Sequence, residues 1–300
     1  MADGIAARPF GSLLDPRFSA RNALGPSTLA ALAALVAVVV LLSLLYPDRF
    51  PPAVAMVSAW IYLVSAIDRN MLLLRGVRSS VMVWISESEA RAVPDHELPS
   101  YTVLLPVYQE PSIVQNLING VGNLDYPPDK IDVMLLVEED DAATQQAVAG
   151  LSLNGIRVVL VPHSLPKTKP KACNYAMSLP EVDSELITLY DAEDVPEPLQ
   201  LRRAAVAFSR APADIGCLQA RLAYFNERQN LLTRWFSMEY DQWFGAVLPA
   251  LQQAGCVVPL GGTSSHLPVR AWREARGRGE HNVTRDADPG GGLGGYGYRP

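Results

Sequence analysis

The side chains best suited to chemistry in this sequence are carboxylates gathered in short runs. Asp191-Ala192-Glu193-Asp194 is one such run, Glu138-Glu139-Asp140-Asp141 is another, and Tyr108-Gln109-Glu110 adds an acid next to an aromatic ring. Like charges brought together repel, so a cluster of this kind is costly unless a cation or a hydrogen-bonding ligand neutralises it. A hard divalent ion with oxygen ligands, sharing its coordination with phosphates, suits that chemistry. The plainer reading is a set of solvated acidic loops. Both readings stand for Glu138–Asp141, whereas Asp191–Asp194 abuts an apolar run and favours a site. Lys167, Lys169 and Lys171 precede Asn174. Lysines facing an acidic pocket can hold a diphosphate as point charges, although lysine clusters are commonly just solvated.

These residues need a scaffold that brings them together. Tyr101–Val107, Ile131–Val137, Ile156–Val161 and Leu186–Tyr190 are short apolar runs bounded by turn signals, and so are expected as buried strands. Ser112–Val121, Ala142–Leu151, Lys171–Leu179 and a stretch from about Pro198 to Ser209 carry helical spacing between and after them. Strands alternating with helices predict an α/β, doubly wound, mainly parallel sheet. Ligands bind such sheets at the carboxyl ends of the strands, which is where each acidic run falls. Trp235, Tyr240 and Trp243 lie on the apolar stretch Leu231–Leu251. Helix packing is the default reading for them, with interfacial or ligand-facing positions as alternatives.

The first third has a different character. Thr28–Tyr46 holds 19 residues without a charge, nearly enough at ~1.5 Å per residue to cross a ~30 Å hydrocarbon core. No polar stripe interrupts it, as a buried soluble helix would require. It is also too long, and too far from the start, for the apolar core of a signal peptide. After the proline-rich turn Tyr46–Pro52 comes a second apolar run, Pro51–Ile67, expected as a second span or as an interfacial or buried helix. Arg8, Arg17 and Arg21 precede the pair, Arg69, Arg75 and Arg78 follow it, and only Arg49 lies between. The positive-inside rule puts both ends in the cytoplasm. The expected organisation is a cytoplasmic tail (1–27), a transmembrane hairpin (28–74), a polar linker (75–99) and a catalytic domain (100–300).

Net charge is −6 with no basic run, so nucleic acid is not an expected partner. Cys173, Cys217 and Cys256 are three and far apart, which excludes a disulfide framework or Cys/His metal spacing and agrees with a reducing compartment.

The order of motifs resembles the family 2 glycosyltransferases, inverting enzymes with the GT-A fold. The likeness is greatest to the membrane-embedded branch that includes cellulose synthase and related polysaccharide synthases, and it covers roughly residues 28–300. PVYQE resembles the family's first-strand motif, which implies nucleoside contacts for Tyr108 and Glu110. LLVEEDD stands where relatives carry an acidic pair, implying Glu138 or Glu139 against the base. KPKACN matches a Lys-x-x-Asn element and implies Lys171 and Asn174 near the nucleotide. YDAEDVPEP resembles the metal-binding DxD motif in a DxE form. It implies Asp191 at the nucleotide-sugar, Asp191 and Glu193 on magnesium or manganese, and Asp194 as their neighbour. LGGTSSH resembles the acceptor-side segment and implies Gly262, Thr263 and His266 there. NVTRDAD resembles the TEDxD motif, implying Asp286 as general base with Asp288 beside it on the acceptor side.

The resemblance implies an inverting, metal-dependent transfer from a UDP-sugar to a saccharide or lipid-linked acceptor at a lipid bilayer, with a membrane partner subunit as a further expectation. A polyprenyl-phosphate glycosyltransferase is the alternative enzyme. The end of the chain departs from the pattern. Arg285 replaces the Glu of TED, glycines crowd residues 290–295, and no QxxRW motif or later span follows. That predicts an incomplete C-terminal part and leaves a truncated, inactive nucleotide-binding homologue as the third reading.

Overall fold

The computed structural model of the protein describes residues 25–79, 81–274 and 298–299. Two helices open it, α1 (Pro26–Leu45) and α2 (Phe50–Val77). Both are long and apolar enough to cross a membrane by length and composition, and neither buries its apolar window against protein. α2 outruns the expected Pro51–Ile67. Arg69, Met71, Leu72, Leu73 and Leu74 are good helix formers and carry it past the apolar stretch.

Part of the expected polar linker (75–99) is helical. Ser86 and Glu89 form a reciprocal capping box that starts α3 (Glu87–Ala92). Ala90 then packs with Val206 and Ala207.

The domain that follows is a six-stranded sheet in the order β3-β2-β1-β4-β6-β5. β1 (Tyr101–Val107), β2 (Ile131–Glu138), β3 (Arg157–Val161) and β4 (Leu186–Leu189) pair in parallel; β6 (Ser265–Pro268) runs antiparallel to both β4 and β5 (Leu218–Gln219). The expected mainly parallel α/β sheet is therefore present. α4 (Val114–Gly122), α5 (Ala142–Ala149), α6 (Lys169–Met177) and α7 (Gln200–Arg210) make the crossovers, and α10 (Val269–Glu274) follows β6.

Period-two alternation divides the core between the two faces of the sheet. Val103, Leu105, Val133 and Leu135 pack with α4 and α7 on one side; Leu104, Met134, Leu136 and Ile187 pack with α6 and α10 on the other. Each such side chain, fully buried, contributes roughly 1.5–3 kcal/mol. The chain runs from β1 outward to β3, then returns to the other side of β1 for β4. That reversal opens a crevice at the carboxyl ends of β1 and β4.

A π-helical turn (Trp243–Val247) and α9 (Leu248–Gln253) pack against α2, and α8 (Leu231–Gln242) leads into that turn. A Cβ on Gly76 would lie 1.8 Å from the Ala246 carbonyl oxygen, so only glycine permits this approach. Tyr240 stacks between Tyr224 and Phe244 at centroid distances of 4.6 and 5.8 Å. Leu231, Leu232, Trp235 and Met238 of α8 are left exposed.

Candidate functional site

The crevice is built from strand ends. Beyond Val107 the chain turns at Gln109, whose φ of 57° is left-handed. The Gln109 amide donates to Asp141 Oδ2 at 2.5 Å, and Asp141 Oδ1 accepts from Thr144 N at the start of α5. One carboxylate thus ties the end of β1 to the end of β2 and caps a helix. The turn leaves Tyr108 exposed at the crevice mouth with Glu110 half-buried behind it.

The segment entering α6 brings in three lysines, and each meets a carboxylate. Lys167 pairs with Asp140 and lies 5.4 Å from the Tyr108 ring centroid. That hydrogen bond raises the Lys167 pKa and lowers that of Asp140. Lys169 pairs with Asp191. Lys171 reaches Glu138 at 2.7 Å and the carbonyls of Pro162 and Ser164 at 3.2 and 3.3 Å, which uses its three donors. Both members of this last pair are buried. Glu139 is exposed and accepts from the His163 amide, and Asn174 is buried on α6.

Asp191 follows β4 and begins a tight turn. Its amide donates to Asp194 Oδ2 at 2.7 Å and lies 3.2 Å from the Thr263 hydroxyl. Thr263 donates to the same Asp194 carboxylate. Burial is the largest influence on Asp194 and raises its pKa; the bonds from Thr263 and Asp191 offset part of that. Asp194 is therefore engaged with backbone and hydroxyl, while Glu193 is exposed and Asp191 partly so. Gly262 permits this packing with a φ of 73°, a left-handed value that a side chain would strain.

The sequence-predicted residues divide accordingly. Tyr108 and Glu110 follow β1, Glu139 follows β2, and Asp191 and Glu193 follow β4, all beyond the carboxyl ends of parallel strands, with Thr263 bonded to Asp194 and Gly262 next to Thr263 in sequence. Glu138 and Lys171 are also there but buried against each other. His266, expected on the acceptor side, is buried. It lies in β6 with its ring in the core, Nδ1 2.7 Å from the Tyr101 hydroxyl and directed toward the start of β1. Burial lowers its pKa to about 3. Asp286, Asp288 and Arg285 lie outside the described residues, as do Arg8, Arg17 and Arg21.

Among the described residues, no three or more His, Cys, Asp or Glu side chains stand together as a ready-made metal cage. Sequence reasoning grouped Lys167, Lys169 and Lys171 as one lysine cluster and did not foresee that each pairs with a different carboxylate. It also missed Gln219. This side chain accepts from Gly261 N at 2.8 Å and donates to the Thr263 carbonyl at 3.0 Å, holding the Gly261–Ser265 segment.

Comparison with known proteins agrees with this architecture. The family described as "Glycosyltransferase like family 2" matches residues 99–291, well over half the chain. The chain is 27% identical over 203 residues to "Probable glucomannan 4-beta-mannosyltransferase 7" of Oryza sativa subsp. japonica, covering 64% of this chain and 34% of that protein. It is 24% identical over 193 residues to the beta-monoglucosyldiacylglycerol synthase of Trichormus variabilis, covering 64% of this chain and 40% of that one. The chain thus spans between a third and a half of the length of these two relatives. Its fold is similar to that of a mannosyltransferase from Pyrobaculum calidifontis solved with GDP-Man and Mn2+. The TM-score is 0.57 at 19% identity, over 79% of this chain and 64% of the other.

Proposed function

Because the chain belongs to the Glycosyltransferase like family 2, we propose that it moves a sugar from a nucleotide-diphosphate donor to an acceptor at the β1/β4 crevice. The observation that carries the reading is the Lys169–Asp191 pair at the switch point of the sheet, with Glu193 exposed in the same turn.

The donor we favour is a UDP-sugar. Tyr108 and Glu110 border the nucleoside, with Glu139 at the rim. Lys171 and Asn174 form the floor, where the Lys171–Glu138 pair sets the shape rather than touching the base. Lys167 and Lys169 stand within reach of a diphosphate once they leave Asp140 and Asp191.

Asp191 and Glu193 would hold magnesium or manganese. Their chemistry fits, because a small hard cation takes one or two carboxylates and completes its shell from phosphate and water. The ammonium of Lys169 pairs with Asp191, and an ion binding there would take its place. When bound, the ion supplies charge stabilisation of the departing diphosphate. Asp286 would take the proton from the acceptor hydroxyl as it attacks the anomeric carbon, giving inversion.

α1 and α2 would anchor the domain as a transmembrane hairpin, with 1–27 as a cytoplasmic tail. Arg69, Arg75 and Arg78 against the lone Arg49 support a cytosolic domain. The acceptor is a saccharide in the leading reading. A lipid-linked acceptor is the second, and the exposed apolar side chains of α8 favour it. The Trichormus relative is named for a lipid product.

A transfer assay on the full chain in membranes tests the proposal. UDP-glucose and GDP-mannose are the donors, with oligosaccharide and diacylglycerol acceptors, with and without Mn2+. We expect Mn2+-dependent transfer from UDP-glucose, abolished in Asp191→Ala. Wild-type membranes that neither turn over a donor nor bind UDP would end the reading.

A further inference from the structure

The Asp191–Asp194 turn and the Gly261–Ser265 segment are 69 residues apart between Asp194 and Thr263, yet one hydroxyl joins them. Thr263 Oγ1 donates to Asp194, and the Asp191 amide is shared between Asp194 Oδ2 and Thr263 Oγ1 at 2.7 and 3.2 Å. The threonine is itself held tightly. Its carbonyl accepts from Gln219 Nε2 at 3.0 Å, and the next amide, Ser264 N, donates to Leu189 O at 2.9 Å, the last residue of β4. Gly262 and Ser264 on either side both have left-handed φ, at 73° and 50°. Strained backbone of this kind persists where the surroundings over-determine it.

We propose that Thr263 and Asp194 form a latch, in which Thr263 is a positioning residue that acts through Asp194 on the Asp191 carboxylate. The proposal rests on the donor-site reading above and gives the third acid of the run a role distinct from its neighbours. Asp194 accepts from the backbone at the head of its own turn and from Thr263, so it orients the turn and does not ligate. Asp191 is thereby aimed at Lys169 and the crevice, and Glu193 is turned outward.

Thr263→Val removes the hydroxyl at nearly constant volume, and Thr263→Ser keeps it. The full-length protein in nanodiscs is titrated with MnCl2 in the presence of saturating UDP, with free Mn2+ read by electron paramagnetic resonance. Melting temperature is followed in parallel. Loss of one charge-assisted hydrogen bond at the turn should weaken Mn2+ binding about tenfold in Thr263→Val, with Thr263→Ser within about twofold of wild type. Wild-type affinity in a folded Thr263→Val protein overturns the latch. Tighter binding overturns it too, because that is the result expected if Asp194 were itself a ligand released from Thr263. Should Thr263→Val fail to fold, Thr263→Ala decides on the same readout: a weakening of similar size supports the latch, and unchanged affinity removes it. A wild type that does not bind Mn2+ with UDP would overturn the donor-site reading along with it. Firm wild-type binding unmoved by these variants overturns the latch alone.

Discussion

Lys169 and Lys171 stand two residues apart on α6, and each pairs with a carboxylate from a strand end, Asp191 after β4 and Glu138 at the end of β2. The Lys171 pair is shut in. Its side chains are 3% and 5% exposed, and two backbone carbonyls take the remaining ammonium donors. The Lys169 pair is open, at 15% and 25% exposed. Taking a charge out of water costs several kcal/mol unless it is fully partnered, so the inner pair can neither separate nor trade partners cheaply. Water and added ions reach the outer pair, and its attraction is correspondingly screened. The same two side-chain types thus serve as a strut in one place and an exchangeable counter-ion in the other. Burial, rather than residue identity, makes the difference.

The comparison can be broken most forcefully at the inner pair. Lys171→Met leaves Glu138 buried and uncompensated, and should destabilise the domain by about 3–5 kcal/mol. Thermal or denaturant unfolding in detergent reads this, and a loss below about 1 kcal/mol would erase the distinction between the pairs.

His266 extends the contrast to a buried group that stays neutral. Its pKa is about 3 in the folded protein against the ordinary value of 6.5. Below pH 6.5 the unfolded chain binds a proton that the folded chain refuses, so stability falls as pH drops and is restored as it rises. The loss between pH 7 and pH 5 should be about 2 kcal/mol. Stability measured in His266→Gln should lack that part of the slope, and an identical slope would refute the assignment.

The outer pair should respond in the opposite way to Lys171. Lys169→Met should change stability by less than about 1 kcal/mol. It should weaken UDP binding in the presence of Mn2+ by about tenfold, through loss of a charge facing the diphosphate. Calorimetry on the same sample gives both numbers. A large stability loss with unchanged UDP affinity would make Lys169 a second strut.

The parallel half of the sheet was legible because its strands are buried on both faces. Tyr101–Val107 and Ile131–Val137 read as continuous apolar runs, and the structure extends the second only to Glu138. β5 and β6 were not legible. Leu218–Gln219 is two residues long, and Ser265-His266-Leu267-Pro268 carries two polar side chains and a proline. Their strand character comes from pairing with β4, a tertiary effect that local pattern does not carry. For the same reason the link from Thr263 to Asp194 was invisible, since it exists only once β6 lies beside β4. The carboxylates at the strand ends were found from type and position alone. Which of them are engaged elsewhere, as Glu138 and Asp194 are, depended on contacts with α6 and the Gly261–Ser265 segment. Ser86 with Glu89 was a readable capping box inside a stretch taken for linker.

The central claim is that the open end of this arrangement, at Asp191, receives a nucleotide diphosphate together with a divalent ion. Calorimetric titration of UDP into the full chain in nanodiscs, with Mn2+ and then with EDTA, tests it most directly when repeated on Asp191→Ala. Wild type should bind UDP far more tightly with Mn2+ than without, and Asp191→Ala should lose that enhancement while keeping its melting temperature. Equal UDP affinity in the two proteins, with Mn2+ making no difference to either, would contradict the account.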